Sequence, residues 1–169
     1  MAWLGALRDL LTVRIYDELA GRLTAAALGR SGDAAVFALA EAYQADAEEH
    51  PHRYALMPQT APAPGVTATR GPDPVATAGA RVVSVFYAVL AGFPQSGDTR
   101  ASDTRLAEDD LVHAVRGLRA ALHGFAVLSL SGGFGLPADE AESRRRLIAT
   151  FVAGLRVIHR PRASVGPGF

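Results

Sequence analysis

Between Leu111 and Gly135 the chain superimposes three stripes when read at about 100° per residue. Leu111, Val115, Leu118, Leu122 and Phe125 make an apolar face. Gly117, Ala121, Gly124 and Leu128 make a second stripe of mostly small residues, against which another helix backbone can approach closely. His113, Arg116, Ala120, His123 and Val127 make a third, mixing ionisable and apolar groups. One helix with a core face, a close-packing seam and a polar stripe is an element with several partners. Gly132-Gly133 then offers the left-handed backbone that ends a helix.

The remaining segments read as helices gathered around this one. Leu4, Leu7, Leu11, Ile15, Leu19 and Leu23 recur every three or four residues, predicting an amphipathic helix from Trp3 to Leu28. It enters the pattern from the initiator methionine with no cap residue, as a helix does when its upstream neighbour is absent. Ser31-Gly32-Asp33 supplies a loop and N-cap. A second helix follows from about Asp33 to His50, burying Val36, Phe37, Leu39, Ala40 and Tyr43. Pro51 predicts a break and a short turn through Met57. The seventeen residues Pro58–Pro74, with five prolines, form an aperiodic connection, expected to be mobile, with a lid over another part of the chain as the alternative. Val75–Ala91 is apolar on nearly all sides and predicts an enclosed helix, with a strand as the minor alternative. Gly92–Thr104 is loop, and the organising helix starts near Leu106 with Glu108, Asp109 and Asp110 at its positive end. A last helix starts at Pro137, with Leu147, Ile148, Phe151, Val152, Leu155 and Ile158 as its apolar stripe. The expectation is an all-α bundle of about five helices forming one domain over residues 1–160, with 161–169 a disordered tail.

Composition narrows the picture. A chain of 169 residues that is 49% apolar can enclose a sizeable core. Zero net charge removes any global attraction to nucleic acid. Every basic side chain other than histidine is Arg and there is no Asn, the bias of a high-G+C bacterial coding sequence. Without cysteine there are no disulfides and no thiol chemistry. No secretory leader pattern opens the chain and no apolar run reaches about 18 residues, which reads as a soluble cytoplasmic protein.

Candidate chemistry is sparse. His123, amid apolar residues beside Gly124, is either a core histidine bonded to a carbonyl or a donor to an acidic or carbonyl-bearing ligand. Ten residues separate it from His113, about 80° round a helix, so the two do not form an i,i+4 metal pair. His50 and His52 flank Pro51 without a carboxylate or thiol at useful spacing. No metal and no cofactor is expected. Arg144-Arg145-Arg146 reads as a solvated face beside Glu140 and Glu142. Ser129 and Ser131 near His123 lack an acidic orienter and a nucleophile elbow, so the chain is not read as an enzyme. Tyr54 and Met57 read first as core packing.

Four segments in order carry a resemblance: Glu49-His-Pro-His-Arg-Tyr-Ala-Leu-Met57, Ala120-Ala-Leu-His-Gly-Phe125, Gly132-Gly-Phe-Gly-Leu-Pro137 and Phe151-Val-Ala-Gly-Leu155. Together they resemble the C-terminal regulatory domain of TetR-family transcriptional regulators, in the subgroup named for a Trp-His-Gly motif. The motif's tryptophan has no counterpart before His123-Gly124; the one tryptophan is Trp3. The family's N-terminal helix-turn-helix has no counterpart in Met1–Leu28 either.

The resemblance implies a homodimer built through a four-helix bundle, and a small-molecule pocket that controls DNA-binding heads. The residues fit both. Tyr43, Tyr54, Phe86, His113, Arg116 and His123 are the expected ligand-binding set, with Tyr87 nearby. Gly117, Ala121, Gly124, Leu128, Leu147, Phe151 and Leu155 are the expected dimer interface, although the same stripes can also face each other within one subunit. The expected function is ligand sensing and dimerisation for a TetR-type regulator whose DNA-binding head is missing from this chain. The alternative is a free-standing helical small-molecule-binding protein, or a heterodimerising antagonist of a full-length regulator. DNA is reached only through the absent helix-turn-helix, and no membrane is involved.

Overall fold

The computed structural model of the chain describes residues 2–56, 73–93 and 106–158. These form six helices and, among the described residues, no strand. They are α1 (Ala2–Ala27), α2 (Gly32–Glu49), α3 (Pro51–Leu56), α4 (Pro74–Ala91), α5 (Glu108–Leu130) and α6 (Glu140–Ile158). The all-α fold is as the periodicities predict. Residues 58–72 of the proline-rich connection and the tail from 161 to 169 lie outside the described residues, while Pro74, expected in the connection, opens α4.

Local chemistry sets most of the boundaries. The expected turn after His50 is a sixth short helix: Pro51 takes the first helical position, where a missing N–H costs nothing, and Tyr54 N–H reaches the His50 carbonyl at 3.0 Å. Asp73 caps α4 by accepting from Val75 N–H at 2.9 Å. The last helix starts at Glu140 rather than Pro137, because the Asp139 carboxylate accepts from Glu142 N–H at 2.9 Å and so fixes the N-cap. At the other end of the α5–α6 connection, Gly132 adopts φ +65°, and Gly133 N–H returns to the Leu128 carbonyl at 2.7 Å. That closure satisfies carbonyls the helix end leaves open, and it needs a residue without a Cβ penalty.

Leu23 of α1, Val36 and Leu39 of α2, Phe86 and Leu90 of α4, and Leu118 and Leu122 of α5 meet in one core, closed by Ile148, Val152 and Leu155 of α6. Each fully buried side chain of this size contributes about 1.5–3 kcal/mol of transfer free energy. α1 packs chiefly along α4, and α5 touches α2, α4 and α6, which is the multi-partner role its three stripes predict. α4 is less enclosed than expected: Val82, Phe86 and Leu90 are buried, while Val83, Val85 and Val89 are only half covered. By length and mean hydropathy alone α4 and α5 could each span a bilayer, although Arg81 interrupts the apolar run of α4 and Arg116 and Arg119 that of α5. Both instead sit against the other helices of the bundle. Phe93, placed in a loop by the sequence, is buried just past α4, and Arg156 lies over its ring at 5.9 Å.

Candidate functional site

Three of the four segments quoted above are in direct contact, through Tyr54–His123 and Phe125–Phe134, and the fourth reaches α5 through Phe151 at Gly117. Tyr54 of α3 donates its hydroxyl proton to His123 Nδ1 of α5 in a short hydrogen bond. The Phe125 and Phe134 rings meet at a tilt of 52° with centroids 4.7 Å apart. A Cβ built on Gly117 would stand 3.5 Å from Phe151 Cε2, an ordinary contact, so α5 and α6 meet here at a distance that an alanine would also fit. The Glu49–Met57 segment is also held to α1 by charge. Arg22 reaches Glu49 at 2.6 Å and Asp46 at 3.3 Å, and Arg53 reaches Glu18 at 2.6 Å. Burial pushes the Asp46 carboxyl up from its ordinary value against the pull of Arg22.

The tyrosine–histidine contact forms one end of a polar chain. Tyr43 OH lies 3.1 Å from Tyr54 OH and 3.5 Å from His123 Nδ1. The Tyr43 ring packs edge-on against both Tyr54 and Phe86, at 6.1 and 6.0 Å. Burial raises both phenols above their ordinary value, so they stay protonated and act as donors. Burial, then the nearby Arg119 charge, lowers the His123 pKa. A neutral imidazole that accepts at Nδ1 carries its proton on Nε2. The proton order Tyr43 to Tyr54 to His123 Nδ1 satisfies both phenol protons.

Tyr43 and His123 face a cleft of about 430 Å³, also lined by Tyr16, Leu19, Gly79, Val82, Val83, Arg116, Arg119 and Ala120. Its walls come from α1, α2, α4 and α5. A volume of this size is within the usual range for small-molecule sites. Of the expected ligand set, Tyr43, Arg116 and His123 therefore share one cleft. Tyr54 and Phe86 are buried behind Tyr43 and support its position rather than lining the space. His113 is exposed on α5 and does not line the cleft. Tyr87 turns away and donates to Glu108 at 2.7 Å. Tyr16 and Arg119 were not singled out from the sequence. Arg119 was detectable in principle, since it lies three residues after Arg116 and four before His123, on one helical face. Tyr16 belongs to a distant segment and carried no such signal.

A second cleft, of about 480 Å³, lies between the end of α1 and the outer face of α4. Two of its lining hydroxyls are each tied back to their own helix, Thr24 to the Ala20 carbonyl at 2.8 Å and Ser84 to the Ala80 carbonyl at 2.9 Å, and Arg30 and Ser31 also line it.

The expected dimer residues divide. Leu155 is 1% exposed and belongs to the subunit's own core, because it shares the buried face of α6 with Ile148 and Val152. It is not available to a partner. Gly117 and Phe151 meet within the chain. Ala121, Gly124, Leu128 and Leu147 remain at least partly accessible, with one flank of Phe151. A Cβ on Gly124 meets no atom within 4 Å. The serines near His123 are occupied elsewhere: Ser129 donates to Glu140 at 2.5 Å and Ser131 to the Val127 carbonyl at 2.8 Å.

Residues 36–151 match the family model described as "Tetracyclin repressor-like, C-terminal domain". Among solved structures, the chain resembles SCO4313, a protein whose name describes it as regulatory. The two are 27% identical, with a TM-score of 0.65, over 87% of this chain and 72% of that one. No curated protein matches the sequence.

Proposed function

This chain belongs to the tetracyclin repressor-like C-terminal domain family, and we propose that it senses a small molecule and dimerises within a transcriptional regulator. The family is regulatory and not enzymatic. The observation that carries the proposal is the double role of α5. One face of this helix lines the 430 Å³ cleft through Arg116, Ala120 and His123, and the adjacent face carries the accessible seam Ala121, Gly124 and Leu128. A ligand that shifts or tilts α5 thereby changes the surface offered to a second subunit, which is the coupling a sensor needs. The hydrogen bond from Tyr54 to His123 ties α3 to the same helix.

The proposed dimer packs α5 and α6 of each subunit into a four-helix bundle, with Leu147 and the outer flank of Phe151 beside the α5 seam. In light scattering at micromolar concentration the chain should have twice its 17.7 kDa mass. Gly124→Arg, which finds open space in the isolated subunit, should return it to a monomer with unchanged helicity. A monomeric mass for the unmodified chain overturns the dimer.

The proposed location is cytoplasmic. DNA contact is assigned to a helix-turn-helix outside residues 2–27, which form one continuous helix. The 169-residue chain by itself should show no nanomolar affinity for a palindromic site at physiological salt. A second reading, a free-standing binding protein or an antagonist that pairs with a complete regulator, draws on the same cleft and α5 seam. The intact mass of the native protein from its source cells separates the two: a mass above 17.7 kDa by a small domain supports the regulator, and a matching mass supports the second reading.

A further inference from the structure

The cleft has an unbalanced charge. Among the described residues, its lining includes two guanidinium groups, Arg116 and Arg119, and no carboxylate. Elsewhere arginines reach acidic partners: Arg22 binds Asp46 and Glu49, Arg53 binds Glu18, Arg81 binds Asp17 and Arg156 binds Asp33. Neither Arg116 nor Arg119 has an ion pair among the described residues. They stand three residues apart on one face of α5, where like charges repel. The Arg119 charge also bears on Tyr16, Tyr43 and His123. Below this cationic rim the walls are apolar, from Leu19, Val82 and Val83, and the polar groups there are phenols and one imidazole.

We infer that the ligand of this cleft is an amphipathic anion, with a carboxylate or similar acidic head between Arg116 and Arg119 and an apolar body against Leu19, Val82 and Val83. This rests on the sensing role proposed above. The two guanidiniums supply forked donors that suit a planar carboxylate, and an anion there relieves their mutual repulsion. A cationic ligand would meet two like charges with no acidic residue to offset them. A purely apolar ligand would leave the rim unneutralised. Neutral net charge over the whole chain means the selectivity resides in this cleft and not in a global field.

The test uses two fluorescent probes that share an aromatic body. 1-Anilinonaphthalene-8-sulfonate is anionic, and N-phenyl-1-naphthylamine is neutral. The anionic probe should bind at one site per chain and be displaced by decanoate but not by decylamine. Arg116→Gln with Arg119→Gln should weaken it at least about tenfold, leaving the neutral probe unchanged. Both arginines are exposed, so circular dichroism should show an intact fold in this variant. Gly79→Leu places a side chain beside the Tyr16 ring, 3.7 Å from the added Cβ, and should remove both probes by filling the cleft. If both probes respond to Gly79→Leu but neither responds to the arginine changes, the cleft is a ligand site and the anion inference fails. If neither probe responds to Gly79→Leu, the cleft is not a ligand site and the sensing proposal fails with it.

Discussion

Helix α1 carries one apolar stripe with two fates. In its second half Ile15, Leu19 and Leu23 are 7%, 2% and 0% exposed, packed on α2 and α4. In its first half Trp3, Leu7 and Leu11 continue the same spacing and are 66%, 45% and 49% exposed. Thr12 marks the boundary, buried with its hydroxyl turned back to the Arg8 carbonyl at 2.9 Å. The second half also supplies Tyr16 and Leu19 to the cleft, so the part of the helix that is held is the part that carries the site. Periodicity states which face requires cover. It does not state whether a neighbour is present.

The largest effect that sharpens this contrast is in the core. Leu23→Ala should lower unfolding free energy by about 2–5 kcal/mol, through lost transfer energy and the cavity left behind. The matched Leu7→Ala should change it by no more than about 0.5 kcal/mol, since little buried area is removed. Urea denaturation of the two variants checks both, and equal losses would mean that the first half of α1 is covered in solution.

A smaller loss is expected where the held half meets the polar chain. Tyr54→Phe removes the donor to His123 Nδ1 and leaves Tyr43 without its phenol partner. The expected cost is about 1–3 kcal/mol in thermal or chemical unfolding. A change within about 0.5 kcal/mol would mean that the hydrogen bond is replaced by water without loss.

The same chain gives a pH dependence. The folded-state pKa of His123 lies below the ordinary 6.5, so the unfolded chain binds its proton first as pH falls. The His123 contribution is fully present above pH 6.5 and is lost as pH falls from there through the depressed folded value. His123→Gln should flatten that part of the stability–pH curve relative to the unmodified chain, as read from urea midpoints at stepped pH. An unchanged slope would place the folded pKa at its ordinary value.

The smallest effect concerns the bare half of α1. Trp3 is the one tryptophan in the chain, so emission reports on this segment alone. Its spectrum should be that of a water-exposed indole and readily quenched by iodide. A blue-shifted, protected spectrum would show that a second subunit or another segment covers the stripe.

Much of the fold is legible from residue spacing, because helix periodicity and caps act within a few residues. The core stripe of α5, the stop at Gly132 and the apolar face of α6 all follow from local pattern. The misplacements are local too. Asp139 caps α6 with its side chain and moves the start three residues past Pro137. Pro51 starts a helix as well as ending one. The cleft was only partly legible. Tyr43, Arg116 and His123 stand out by type and stripe, but His113 shares that stripe and lies outside the cleft. One face of a long helix extends past the neighbours that enclose part of it.

The sequence by itself determined the helices, their apolar faces and the resemblance that places the chain in its family, since these depend on neighbours along the chain. Only the tertiary structure decided that Leu155 is core and not interface, that Tyr54 bonds His123 across 69 residues, and that Arg119 and Tyr16 face the same cleft. The physical reason is one of range. Hydrogen bonds within a helix couple residues four apart, whereas burial, charge pairing and cleft geometry depend on which helices pack together and how far each extends beyond its neighbour.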